Sequence, residues 1–155
     1  MYRKILLAYD GTVEGRRALR EGARLAQTAG ADVFLLAVVD VTPGIMAAES
    51  VYPGIVGQQI VFYDKALSDG VALLKTLGFS PSSKLVQGEP GPVIVAVAKE
   101  IGADLVAVGH HDQGVLARWW FGSVGNYLIN HFSGSVLVSR MDVGDEEFHN
   151  WAKTH

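Results

Sequence analysis

Two short stretches have the residue types and spacing for chemistry with an anion. They are Gly109-His110-His111-Asp112 and, after nine intervening residues, Gly122-Ser123-Val124. An apolar run, Leu105-Val106-Ala107-Val108, stops at Gly109, and a helical pattern starts at Ser123. Strand, glycine-bearing loop and helix N-terminus in this order suit a phosphate, because free amides and the helix dipole converge on one point. Gly109 has no Cβ and admits close approach of a ligand, or simply ends a strand. Gly122-Ser123 presents amides at a helix start, or supplies an ordinary N-cap through Ser123. Asp112 is discordant. Its carboxylate repels a phosphate chain unless a divalent cation such as Mg2+ bridges the two. Asp10-Gly11-Thr12 is the third set. An Asp before Gly-Thr at a strand end contacts a ligand, or accepts hydrogen bonds from backbone amides and caps the next helix.

Other chemistries have weaker support. His110 and His111 are adjacent on an extended loop and so point apart, with no third ligand at metal spacing, which favours hydrogen bonding or packing. Trp119-Trp120-Phe121 is expected to lid a pocket or form a partner surface, since three adjacent aromatics cannot share one buried face. No nucleophile–base arrangement or GxxxxGK[ST] loop is present, so the chain reads as a binding protein and not an enzyme.

The composition agrees. The chain has 155 residues, 49% hydrophobic and 19% charged, with a formal net charge of −3, which fits one compact domain and gives no electrostatic footprint for nucleic acid. Arg16, Arg17, Arg20 and Arg24 alternate with Glu14 and Glu21 and read as a solvated helix face. With no cysteine, disulfides, thiolate metal sites and a Cys nucleophile are excluded. No apolar stretch approaches the roughly 20 residues of a membrane span, and the expected location is the cytoplasm.

The elements that must position these residues follow from periodicity. Short continuous apolar runs, expected for strands buried on both faces, lie at Ile5–Tyr9, Val33–Val39, Asp104–Val108 and Ser135–Ser139. Lys84–Gly88 is more polar and is expected at a sheet edge. Helices are expected over Glu14–Ala29, from near Gln58 to Leu77, from Pro92 to Ile101, and from Ser123 to about His131. The inward residues of the second are Ile60, Tyr63, Ala66, Leu67, Val71 and Leu74. Residues 41–59 read as an irregular loop broken by Pro43, Gly44, Pro53, Gly54 and Gly57. The tail, with Phe148 and Trp151, is a frayed end or a short docking helix. Alternating strands and helices imply right-handed crossovers and an α/β, doubly wound parallel sheet of five strands. Ligands of such sheets bind at the carboxyl ends of strands where the order reverses, which places Asp10 and Gly109 at adjacent strand ends.

Over residues 2 to 140 the chain resembles the universal stress protein family. The matching pieces are Ile5-Leu6-Leu7-Ala8-Tyr9-Asp10-Gly11-Thr12, Leu35-Leu36-Ala37-Val38-Val39-Asp40, Ala103-Asp104-Leu105-Val106-Ala107-Val108-Gly109, Gly122-Ser123-Val124 and Val136-Leu137-Val138. Their order and spacing carry the resemblance, not any single piece. It implies a Rossmann-like, three-layer sandwich of the adenine nucleotide alpha-hydrolase kind with strand order 3-2-1-4-5. The domain would be residues 1–140, with 141–155 as a C-terminal tail. Nucleotide-binding members carry Gly-x2-Gly-x9-Gly-Ser/Thr around ATP. Gly109, Gly122 and Ser123 match it, and Asp112 stands at the second glycine. The resemblance implies an adenine nucleotide (ATP or AMP, with Mg2+) held by Asp10, Gly11, Thr12, the Val38 backbone, Gly109, Asp112, Gly122, Ser123 and Val124. Gly-His-His also resembles a branch that does not bind ATP, which gives the alternative of a homodimeric interaction protein with a degenerate site and no cofactor. A homodimer through the last strand (Val136, Leu137, Val138) is implied in either case.

Overall fold

The computed structural model describes residues 1–109, 124–139 and 144–154. Five strands and six helices follow one another along these residues. The chain runs β1 (Lys4–Ala8), α1 (Val13–Ala29), β2 (Asp32–Asp40), α2 (Pro43–Val51), α3 (Ile55–Thr76) and β3 (Ser82–Gly88). It continues with α4 (Pro90–Ile101), β4 (Leu105–Gly109), α5 (Val124–His131), β5 (Ser135–Ser139) and α6 (Asp145–Thr154). The sheet is parallel throughout, in the order β3-β2-β1-β4-β5. This is the expected doubly wound architecture, with polar β3 at one edge as its sequence requires.

Alternation along the strands builds two cores, one on each face of the sheet. Ile5 and Leu7 of β1 and Leu35 and Ala37 of β2 join Leu19, Ala23, Leu67 and Leu74 of α1 and α3. Leu6 and Ala8 of β1 and Leu36 and Val38 of β2 join Ile94, Val97, Val124 and Leu128 of α4 and α5. Central strands covered on both faces must be apolar at every position, which explains the unbroken runs in β1, β2 and β4. Asp104 ties the amino ends together: its carboxylate accepts the Arg3 and Lys4 amides at 2.9 and 3.2 Å. Its own amide donates to the Lys4 carbonyl at 3.0 Å.

Three expectations need correction. Residues 41–59 are largely helical, not irregular. Pro43 starts α2 at a position where its missing N–H costs nothing. The next helix begins at Ile55, three residues before Gln58, because a side chain caps it from outside. Glu49 accepts the Gly54 amide through Oε1 and the Val56 amide through Oε2, both at 2.8 Å. Those amides hold the Glu49 carboxyl below its ordinary value. The fourth helix begins at Pro90 and not Pro92, since both prolines fit a first turn that needs no donor there. Within α3, Ala66, Leu67 and Leu74 are buried as expected, Gly70 is buried with them, and Tyr63, Val71 and Ile60 are only half-buried.

The tail forms the docking helix α6. Phe148 is 2% exposed. Arg20 of α1 lies 5.6 Å from the Phe148 ring centre and Arg24 lies 5.4 Å from that of Trp151. These arginines, which read as a solvated face, seat α6 by cation–π contact.

Candidate ligand site at the strand switch

β1 ends before the strands on either side of it do. Its pairing with β4 ends at Leu7–Ala107, yet β4 continues to Gly109, in register with Ser139. Its pairing with β2 ends at Ala8–Leu36, followed by the Tyr9 amide donating to the Leu36 carbonyl at 2.8 Å, yet β2 continues to Asp40. A notch therefore opens at the carboxyl edge above β1. Ala8, Tyr9 and Asp10 lie at its floor, and Val38 and Gly109 lie on the strand extensions at either side. Backbone groups alternate along a strand, so the Val38 N–H and C=O face the same side as those of Leu36, beyond the last β1–β2 pair. This is where the strand order reverses, the usual ligand position in open α/β sheets.

The floor is built by local hydrogen bonding. Asp10 is 7% exposed, and its Oδ1 accepts the Thr12 amide at 3.0 Å and the Thr12 hydroxyl at 2.6 Å. Thr12 is the N-cap of α1, its Oγ1 accepting the Gly15 amide at 3.0 Å. The carboxylate thus sits beside the N-terminus of α1. Gly11 takes φ 75°, a left-handed conformation that glycine adopts without strain, and a Cβ there would lie 2.8 Å from Ala66 Cβ. Gly15 is the residue that sequence reasoning missed: a Cβ on it would overlap Asp10 Oδ1. Its only sequence signal was a glycine in the first turn of a helix, where it lowers helix propensity without evident return.

The structure therefore brings Asp10, Gly11, Thr12, Val38 and Gly109 to one edge. Val124, the first residue of α5, is 3% exposed and packs in the α4–α5 core. Asp112, Gly122 and Ser123 lie outside the described residues, as do His110, His111 and Trp119-Trp120-Phe121. Among the described residues no group of three or more His, Cys, Asp or Glu side chains is placed to hold a metal ion. No helix among them is long and apolar enough to cross a membrane.

A second feature adjoins the notch. Asp40 ends β2 with the turn seen at Asp10: its Oδ1 accepts the Thr42 amide at 2.9 Å. Its position continues the series Phe34, Leu36 and Val38, which packs towards α4 and α5. There a cavity of about 190 Å3 is lined by Asp40, Thr42, residues 89–92, Val124 and Tyr127.

Residues 1–140 match the Universal stress protein family. The chain belongs to this family. It is 26% identical over 152 residues to a universal stress protein of Synechocystis sp., covering 88% of this chain and 97% of that one. A family structure from Burkholderia pseudomallei superimposes with a TM-score of 0.67 at 28% identity, covering 90% of this chain and 97% of that one. One from Archaeoglobus fulgidus, solved in complex with dAMP, has a TM-score of 0.61 at 23% identity, covering 88% and 97%. The Rossmann-like fold inferred from the sequence is thus that of the family.

Proposed function

We propose that this universal stress protein is a non-enzymatic, cytoplasmic stress-response protein that holds ATP or a related adenine nucleotide in the notch above β1. The observation that carries the reading is the notch itself. β1 stops short between two strands that run on past it at the switch point, and its end presents a buried carboxylate, Asp10, beside a helix N-terminus. In this reading Asp10 accepts from the ribose hydroxyls, Gly11 and Thr12 fix its turn, and the Val38 backbone reads the base edge. Gly109, Asp112, Gly122, Ser123 and Val124 surround the phosphates, with Mg2+ between Asp112 and the phosphate chain to offset their repulsion. That a protein of this fold was solved with dAMP supports the choice of an adenine nucleotide.

Residues 1–140 act as the ligand-holding domain, with 141–155 as an appended tail docked through α6. The protein pairs with a second copy through β5. That strand is an edge of the sheet, and Val136, Leu137 and Val138 are only half-buried, which leaves unpaired backbone groups beside apolar side chains.

The test is to denature freshly purified protein, chromatograph what is released, and measure thermal shift with added Mg-ATP and AMP. Released adenine nucleotide or a saturable shift is expected. A clean extract together with no shift at millimolar ligand would sink the reading.

A further inference from the structure

The hairpin of α2 and the start of α3 is apolar where it meets solvent. From Val41 to Tyr63 the chain carries one charged residue, Glu49. Both oxygens of that carboxylate are taken by the Gly54 and Val56 amides. No residue of α2 is buried, and α3 buries none before Ala66. Among the described residues, Met46, Val51, Tyr52, Val61 and Phe62 are five of the seven large hydrophobic side chains left exposed. A single exposed apolar residue is ordinary, but a cluster on one hairpin marks an interaction surface.

An overhang of α3 produces this exposure. Ala66, Gly70 and Leu74 lie four residues apart on the stripe of α3 that covers the sheet. One step earlier the same stripe reaches Phe62, at the carboxyl edge beside the Gly11 turn, where a Cβ on Gly11 would lie 3.4 Å from the ring. Phe62 remains 55% exposed there. The Glu49 cap ties α2 to the start of α3, so the overhang is an ordered unit and not a loose loop.

Charge and area decide the occupant. Helices that lie on a lipid surface carry Lys or Arg on their polar face, and Val41 to Tyr63 has neither. A different protein is selected largely by complementary charge, and the hairpin offers no free charge. Two like copies meeting across a two-fold axis set the same patch against itself, which suits a face without net charge. Aromatic side chains cover about 150–250 Å2 each, so Tyr52, at 70% exposure, and Phe62 together offer roughly 200–300 Å2. Met46, Val51 and Val61, at about 100 Å2 each when fully covered, add roughly 200 Å2. Two copies would bury roughly 800–1,000 Å2, short of the about 1,200 Å2 of stable complexes and suited to a reversible one.

We propose that the α2–α3 hairpin is a self-association surface, on which a second copy of this chain docks reversibly through Tyr52 and its apolar neighbours. The surface is separate from the β5 edge, and its use does not depend on the nucleotide reading. Tyr52 is the expected anchor, because tyrosine is enriched among the residues that dominate interfaces.

The experiment follows the full chain as its concentration is raised. Sedimentation velocity reads its mass, and amide NMR shifts locate the residues that respond. An association step is expected at high concentration, with shifts gathered on the amides of Gly44, Val51, Gly54 and Val61. Tyr52→Lys keeps the backbone bond from residue 52 to the Ala48 carbonyl and is expected to weaken that step about 10-fold or more. Val61→Lys, on the neighbouring helix, is the second variant, and a thermal melt confirms that each folds. A mass that does not rise with concentration overturns the inference. So does a rise whose shifts fall on β5 and leave the hairpin unmoved, or equal association by wild type and the folded variants. Tyr52-dependent binding to phosphatidylcholine vesicles, without self-association, overturns it and assigns the face to a lipid surface.

Discussion

Gly15→Ala tests the construction of the notch floor. An alanine Cβ would occupy the position of Asp10 Oδ1, so the carboxylate must turn away. It then loses its bonds from the Thr12 amide and hydroxyl, at 3.0 and 2.6 Å. Hydrogen bonds to a charged group contribute about 1.5–3 kcal/mol each. A rotated carboxylate recovers part of that from water, so the loss is set at roughly one bond, about 1.5–3 kcal/mol. Against it stands the helix propensity gained on replacing glycine, at most about 1 kcal/mol. The net is a destabilisation of about 0.5–2 kcal/mol, or roughly 1–8 °C in Tm for a chain of this length. Gly57→Ala is the matched control. Gly57 is also the third residue of its helix, α3, but nothing lies within 4 Å of its added Cβ. That variant is expected to melt at or slightly above wild type. Thermal unfolding followed by circular dichroism reads both. If Gly15→Ala melts as high as Gly57→Ala, the close approach of Gly15 to Asp10 does not constrain the site.

Other outcomes follow from the same structure. Asp112→Gly removes a like charge from the proposed phosphate loop and is expected to tighten ATP binding in calorimetry, most when Mg2+ is absent. Unchanged affinity would mean that the carboxylate points elsewhere. Glu49 is lowered by its bonds to the amides of Gly54 and Val56, so the cap it provides is complete above its ordinary value of 4.5 and is lost as pH falls through the depressed value. NMR shifts of the Gly54 and Val56 amides should therefore titrate with a midpoint below 4.5, and a midpoint above it would reverse the sign of the argument. Val136→Asp places a charge on the exposed edge at β5 and should shift the protein to monomer by light scattering. A folded variant of unchanged mass would move the dimer interface to another surface.

Much of the fold was legible because parallel sheets impose a simple signature. Apolar runs in β1, β2 and β4 have no polar face to show, and polar β3 declared itself an edge. The capping of α3 was hidden, because Glu49 reaches across a turn from a different helix and leaves no periodic trace. The glycines and prolines of residues 41–59 then suggested a loop where they sit at helix starts. Arg20 and Arg24 misled in the opposite way, since a cation over an aromatic ring looks, in sequence, like a solvated charge. For the site, Asp10 and Thr12 were legible as a strand-end turn that caps a helix. Gly15 was not, because a close approach between a glycine and a side chain depends on tertiary placement. The staggered strand ends that open the notch were also beyond a reading in which each strand is bounded on its own.

The most direct test of the central claim is a calorimetric titration of Mg-ATP into wild type and into Asp10→Ala. Saturable binding of one nucleotide per chain by wild type is predicted, weakened about 10-fold or more in the variant, as loss of a hydrogen bond to a charged group requires. Equal binding by the two proteins, or no heat from either at millimolar nucleotide, would contradict an adenine nucleotide held at the end of β1.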